Sequence, residues 1–385
     1  MLKLLDISRL LTRLSEGLLP TGVDRVGLAY VERYRRNARA VLSESGFSRV
    51  LPERVSQEAF DLLLSSRPSR SAIRGLILRG ILSLSQESLD DAVLLHTSHN
   101  GMEHLRYYQA MRRRGARSVF MVHDLIPLTH SEYCRPGVDD VHRRRIHTAL
   151  RHADGLILNS HETRNTLDTE AQRAGLITPP NVVAHLAPGI VSRERPAAPL
   201  NHPYFVMLGT IEPRKNHWFM LHVWRKLVEI MGKQAPKLVI IGRRGWECEN
   251  VVDMLERCES IRQAVVEQSD CTDEHLRAWL LHARALIFPS FVEGYGMPLV
   301  EALAQSVPVL ASDLCVFREI AGDIPDYLDP LDGPAWTARV QAYMDPSHSA
   351  RTTQIMRLAR FQVPTWEAHF QQVDNFLETL PAPSK

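Results

Sequence analysis

Short apolar runs alternate with longer amphipathic stretches along most of this chain. In the first half, runs at 2–7, 38–42, 92–97, 118–123, 155–159 and 181–185 predict strands, and the stretches 23–36, 102–114, 138–152 and 161–174 between them read as helices. The pattern breaks over 191–203, where Pro196, Pro199 and Pro203 crowd a stretch of small and polar residues. It then restarts with runs at 204–209, 237–242, 263–267, 285–289, 308–312 and 326–328, separated by helical stretches such as 217–231 and 272–283. Strands alternating with helices predict parallel sheets covered on both faces. Near the C-terminus, Trp366, Phe370, Val373 and Phe376 are spaced three and four apart, which predicts a helix with one apolar face that must dock on something.

The expected organisation is therefore two doubly wound domains: 1–195, a linker at 196–203, 204–362, and a terminal segment 363–385 packing back across the domains. A length of 385 residues fits two cores better than one. Apolar residues at 44% and charged residues at 23% are ordinary globular values. The five cysteines are scattered with no Cys-x-x-Cys pair, which suits free thiols rather than disulfides or zinc. Asp6 and Arg9 interrupt the N-terminal apolar run too early for a signal peptide, and no uncharged apolar run approaches 18 residues. A cytoplasmic protein is the expectation.

Net charge is only +2, but it is unevenly placed: residues 1–200 carry 28 Lys and Arg against 21 Asp and Glu. The runs Arg112-Arg113-Arg114 and Arg143-Arg144-Arg145 read either as solvated helix faces or as attraction to an anionic membrane at its inner face, or to a phosphorylated acceptor. No aromatic residues interleave with them, so nucleic acid is not expected.

The chemistry concentrates in the second half. In the segment 288–303 a strand is expected to end near Pro289, a turn with Gly294 and Gly296 follows, and Pro298 stands where a helix should begin. The N–H groups and dipole of such a helix suit a diphosphate. Glu293 on the turn and Glu301, placed in the first helical turn, can each accept hydrogen bonds from vicinal hydroxyls. Equally, Glu301 alone would serve the helix dipole and Glu293 would be a solvated turn residue.

Two glutamates with seven residues between them, flanked by Pro289-Ser290 and by the segment 308–312, resemble the signature of family 4 retaining glycosyltransferases, the group 1 enzymes of GT-B fold. The segment 208–216, reading Leu-Gly-Thr-Ile-Glu-Pro-Arg-Lys-Asn, is similar to that family's diphosphate-binding loop as seen in mannosyltransferase-like members, and Gly242-Arg243-Arg244-Gly245-Trp246 is a third match. The resemblance implies a GT-B fold in which two Rossmann-like domains face a central cleft that closes on substrates. It implies that Arg214 and Lys215 hold the leaving diphosphate, that Glu293 contacts the donor sugar and that Glu301 binds the ribose. Gly294, Tyr295, Gly296, Met297, Pro298 and Leu299 would cradle the phosphates, with Arg243 nearby.

In the first half, Thr21-Gly22-Val23-Asp24-Arg25 resembles the family's glycine-containing loop, and His123 its strand-end histidine beside the transferred sugar. His96, Thr97, Ser98, His99 and Asn100 cluster at a strand end and are acceptor-site candidates. The sequence departs from the family form where Gly209 is followed by Thr210 rather than Arg, and where Gln305-Ser306-Val307 lacks a glycine.

The expected activity is transfer of a hexose, mannose weakly favoured, from a nucleotide-diphosphate sugar such as GDP-mannose to a glycan or lipid-linked acceptor in surface polysaccharide synthesis, with retention. No Asp-x-Asp tract is present, so neither a metal nor a cofactor is expected. A sugar-nucleotide epimerase and an inactive sugar-nucleotide-binding scaffold are the alternatives. A dinucleotide oxidoreductase lacks its Gly-x-Gly-x-x-Gly.

Overall fold

A computed structural model describes residues 1–65, 70–82, 89–189 and 196–381. The chain separates into two units: residues 1–131, 136–186 and 365–385 in the first, and 132–135 and 187–364 in the second. The division falls after Leu186 rather than in the proline-rich stretch, whose first part (191–195) lies outside the described residues. Pro196 already belongs to the second unit, where its carbonyl accepts a 2.8 Å hydrogen bond from His282 Nε2.

The first unit holds a seven-stranded sheet: β1 (Lys3–Asp6), β2 (Ala38–Glu44), β3 (Phe47–Val50), β4 (Val93–His96), β5 (Arg117–Val122), β6 (Gly155–Leu158) and β7 (Asn181–Val183). Their spatial order is β3-β2-β1-β4-β5-β6-β7. All neighbours run parallel except β3, which pairs antiparallel with β2. The apolar pattern misses β3 because its first residue, Phe47, is exposed on an edge strand and no alternation announces it. A hairpin signal was nonetheless present: Ser45 and Gly46 both take positive φ, 51° and 85°, as a two-residue turn between right-twisting strands requires. The interior strand β5 is buried along its whole length, the expected consequence of helices on both faces. Its Phe120 stacks on Tyr108 at 4.6 Å between ring centroids.

The second unit holds six parallel strands: β8 (Tyr204–Leu208), β9 (Lys237–Ile241), β10 (Val265–Gln268), β11 (Leu286–Phe288), β12 (Val309–Ser312) and β13 (Asp326–Leu328). Their order is β10-β9-β8-β11-β12-β13. Its core gathers Phe205, Trp224, Leu238, Ile240, Ile287, Leu310 and Trp336, all fully buried. In each sheet the winding reverses once, between β1 and β4 and between β8 and β11, and open parallel sheets bind ligands beyond the carboxyl ends of strands at such a point.

The terminal helix Trp366–Thr379 returns to the first unit. His369 Nε2 lies 2.9 Å from the Tyr30 hydroxyl, Asp374 accepts from Arg33 and Tyr34, and Phe370 packs edge-on against Tyr30. Gly155 makes room for this helix, since a β-carbon there would stand 2.8 Å from Phe376 Cζ. Amphipathic spacing announced a docking helix; which core receives it is a matter of tertiary complementarity.

Candidate active site

The loops leaving β8 and β11 meet at the switch point of the second sheet. After β8 the chain turns through Gly209-Thr210 into a short 3₁₀ turn, Pro213–Lys215, and closes it with Asn216 in the left-handed region at φ 61°. After β11 it runs through Pro289-Ser290 to Glu293. The two loops are tied by backbone, because Phe291 N–H donates to Arg214 O at 2.9 Å. They are also tied by charge. Glu293 accepts from Lys215 Nζ at 2.5 Å and from Arg214 Nη1 at 2.7 Å, and Ser290 Oγ donates to the same carboxylate at 2.7 Å. Arg214 Nη2 reaches a second carboxylate, Glu212, at 2.6 Å.

Glu212, Lys215 and Glu293 bury their charged groups and Arg214 is half-buried, so each charge is held by its partners. Burial pushes the Glu293 carboxyl up, but Arg214 and Lys215 outweigh it and hold its pKa down at about 2. Glu293 is therefore an anion at neutral pH. Burial raises the Glu212 carboxyl against the pull of Arg214 and Lys215, and burial together with Arg214 lowers the Lys215 ammonium although Glu293 opposes it. The result is a cluster of two cations and two carboxylates, fixed in place, that an incoming anion can engage through Arg214 and Lys215.

Beside it stands the helix Met297–Ala304. Gly296 precedes it at φ 103°, and a β-carbon there would stand 2.7 Å from Phe317 Cε1, so only glycine fits. The helix begins at Met297, which puts Pro298 second and Glu301 in the second turn, one step later than the sequence suggested. Pro298 has no N–H to offer and the Leu299 N–H donates to Gly296 O at 3.0 Å, so neither supplies a free donor to a phosphate. Leu299 and Tyr295 bury their side chains in the core, and Glu301 is only 4% exposed. The cradle expected over Gly294 to Leu299 is thus narrower than its sequence implies.

A third loop, after β9, crosses behind Gly209. A β-carbon on Gly242 would lie 1.9 Å from Gly209 O, a contact no side chain survives. Ile211 pairs with this loop, its N–H donating to Arg243 O and its O accepting from Gly245 N. Arg244 is committed to Glu256 at 2.6 Å and Glu267 at 2.9 Å, whereas the Arg243 side chain is exposed with no ion-pair partner among the described residues.

Two predicted residues lie in the first unit. Gly22 opens the helix Gly22–Tyr34 rather than lying in a loop, and a helix Ser8–Ser15 separates it from β1. The helix start is fixed by a capping box: Thr21 N–H donates to Asp24 Oδ2 at 2.7 Å. Buried Asp24 also binds Arg9 and Arg13, one on each carboxylate oxygen. His123 follows β5 and is 6% exposed. Its Nε2–H donates to Thr97 O at 2.8 Å.

The switch point of the first sheet opens into a polar cleft of about 370 Å³, lined by Asp6, Arg9, Ser43, Ser98, Asn100 and Tyr107 among others. Asp6 accepts from Ser43 Oγ at 2.7 Å and from the Tyr107 hydroxyl. Of the strand-end candidates, Ser98 and Asn100 face this cleft, while His96 is buried. The basic runs are partly neutralised: Arg112 pairs with Asp154, Arg143 with Glu170 and Arg145 with Glu103. Among the described residues no group of three or more His, Cys, Asp and Glu is arranged to hold a metal ion, and no helix is long and apolar enough to cross a membrane.

The family model for glycosyl transferases group 1 matches residues 191–324, the span that carries every element of the charged cluster. Over those residues the chain is similar to the group 1 glycosyl transferases. The serotype-specific mannosyltransferase WbdA of Escherichia coli is 30% identical over 256 residues, covering 61% of this chain and 31% of WbdA. The O-antigen chain mannosyltransferase B of Escherichia coli is 31% identical over 179 residues, 46% of either chain. The chain thus spans less than half the length of these curated relatives, 31% of one and 46% of the other. Anabaena HepE, solved in complex with UDP, superposes with a TM-score of 0.67 at 15% identity, over 99% of this chain and all of that one. The fold is GT-B, with two Rossmann-like units.

Sequence reasoning gave no role to Ser290 or Glu212, which complete the cluster. Both lay within quoted motifs, but nothing in a linear motif says that a serine three residues before a glutamate will turn back onto it.

Proposed function

We propose that this protein is a glycosyltransferase that moves a hexose from a nucleotide-diphosphate sugar to a glycan or lipid-linked acceptor, with retention of configuration, in surface polysaccharide synthesis. Mannose is the favoured sugar, on the strength of the mannosyltransferase relatives. The observation that carries the reading is the charged cluster at the switch point of the second sheet, where Arg214 and Lys215 are held together by Glu293.

In this reading the diphosphate takes the two cations. As the bond from sugar to phosphate stretches, negative charge grows on the leaving group, and fixed cations in a poorly solvated site stabilise it there without reorganising. Glu293, kept anionic by the same cations, then turns toward hydroxyls of the donor sugar, and Glu301 accepts from the ribose. The acceptor hydroxyl attacks from the face the leaving group departs, and a donor phosphate oxygen takes its proton, so no protein nucleophile is required. His123 stands beside the transferred sugar, and the polar cleft lined by Asp6, Ser43, Ser98 and Asn100 takes the acceptor. No metal is assigned a part.

Calorimetric titration with UDP, GDP and ADP tests the donor site and names the base. Binding of one nucleotide that is lost in both Lys215→Ala and Glu301→Ala supports the reading. Binding of none removes it, and binding without transfer to any saccharide leaves a sugar-nucleotide-binding scaffold.

A further inference from the structure

We propose that His99 is the positioning residue of His123, and that it performs this role only as a neutral imidazole whose Nε2 accepts a hydrogen bond. The inference rests on the transferase reading for its consequence and on geometry for its substance.

His123 is held at three points. Its ring Nε2–H donates to Thr97 O, its backbone carbonyl accepts from Asn159 Nδ2 at 2.8 Å, and its backbone N–H donates to His99 Nε2 at 3.0 Å. The first contact fixes the ring tautomer: with Nε2 carrying the proton for a carbonyl, Nδ1 is the ring atom left for a substrate hydroxyl. The third contact has a chemical condition. A backbone N–H requires a lone pair, an imidazolium has none, and so His99 must carry its single ring proton on Nδ1.

The surroundings favour that state. The His99 ring lies 4.9 Å from His142 and 5.4 Å from His123, centroid to centroid. His142 Nε2–H donates to Asp124 O at 3.1 Å, which fixes the loop just after His123. The charged and titratable groups facing His99 are His96 at the end of β4, His123 after β5, and His142 and Arg145 on the helix Val138–His152, while Asp124 and Glu103 act on the neighbouring His142. Arg9 and Asp24 reach His123 from the two N-terminal helices. Burial first, and then the neighbouring histidines and Arg145, drive the His99 pKa well below its ordinary value. His99 touches both of the other histidines, so a charge on it would face a second imidazole on either side.

On acidification His99 is expected to gain a proton, release the His123 N–H and let the strand-end backbone move. A reacting group displaced by about 1 Å loses on the order of a hundredfold in rate. The test uses the full chain labelled with ¹⁵N-histidine, read by ring and backbone NMR from neutral pH down to the acid limit of the folded state, together with turnover over the same range. The expected wild-type result is a His99 ring with Nδ1–H and unprotonated Nε2, and a His123 amide signal that moves with the His99 titration. His99→Gln places an amide oxygen near the Nε2 position, does not titrate, and should restore most of the turnover that His99→Leu loses, without the wild-type acid limb. Backbone amide signals of the first unit away from His99, such as those of the terminal helix, should stay unchanged in both variants and show that this unit is folded. A His99 proton on Nε2, a His123 amide indifferent to His99, or an unchanged acid limb in His99→Gln overturns the proposal. If no sugar is ever transferred, the transferase reading fails by itself, and the tautomer and amide measurements still decide the role of His99.

Discussion

Lys215 Nζ lies 2.5 Å from Glu293 Oε1 although 78 residues separate them, and each holds the other charged in a buried setting. Removing Lys215 leaves Glu293 with Arg214 alone as its ion-pair partner. Lys215→Ala should therefore lower kcat roughly a hundredfold or more, as loss of a fixed oxyanion donor does. It should also raise the Glu293 carboxyl from its value of about 2. Steady-state kinetics and a carboxyl titration check the two effects separately, and unchanged turnover removes Lys215 from the diphosphate site.

Glu301 is buried at the second turn of its helix and is assigned to the ribose. Hydrogen bonds to a charged acceptor contribute about 1.5–3 kcal/mol. Glu301→Gln should weaken nucleotide affinity about tenfold to a hundredfold while leaving affinity for inorganic diphosphate unchanged. Calorimetry with both ligands measures this, and equal losses for the two would place Glu301 elsewhere.

Gly242 passes so close to Gly209 that a methyl group would overlap its carbonyl oxygen. Gly242→Ala must push apart the loops after β8 and β9, the first of which carries Arg214 and Lys215. Overpacking of this kind costs about 1–3 kcal/mol, occasionally more. A lower Tm with weakened nucleotide binding is expected. Gly232→Ala, where a β-carbon meets nothing within 4 Å but φ is 56°, should cost stability without touching the donor site.

His369 joins the terminal helix to the first unit through Tyr30 and the carbonyls of Ala184 and His185. Burial lowers its pKa to about 4, against the pull of those carbonyls. An unfolded histidine takes its proton near pH 6.5. The stability linked to His369 is thus fully present above about pH 6.5 and is lost as pH falls through about 4. The full effect is about 3 kcal/mol. Urea unfolding at several pH values should show this slope in the wild type and a shallower one in His369→Gln; parallel curves would contradict it.

Much of the fold was legible because its elements are local. The six apolar runs of the second half all became strands, and the helix Val138–His152 has the ends its pattern gave it. The edge strand β3 and the helix Ser8–Ser15 were not read. One exposes its leading residue to solvent, and the other is an eight-residue segment wedged directly behind β1. In the site, Arg214, Lys215 and Glu293 were named through the resemblance of their motifs, and the structure brings the three together. A motif lists N–H groups without saying which are already donated, as Leu299's is to Gly296.

The sequence by itself determined the alternation of strands and helices and its restart in the second half, because strand and helix periods and turn chemistry are short-range properties of a chain. Only the tertiary structure decided that the terminal helix returns to the first unit, that Ser290 and Glu212 complete the cluster around Arg214, and that His99 holds His123 by its backbone. Each of those depends on where two distant segments meet. That is fixed by strand order and by shape complementarity between buried faces, neither of which is written in the spacing of residues along one segment.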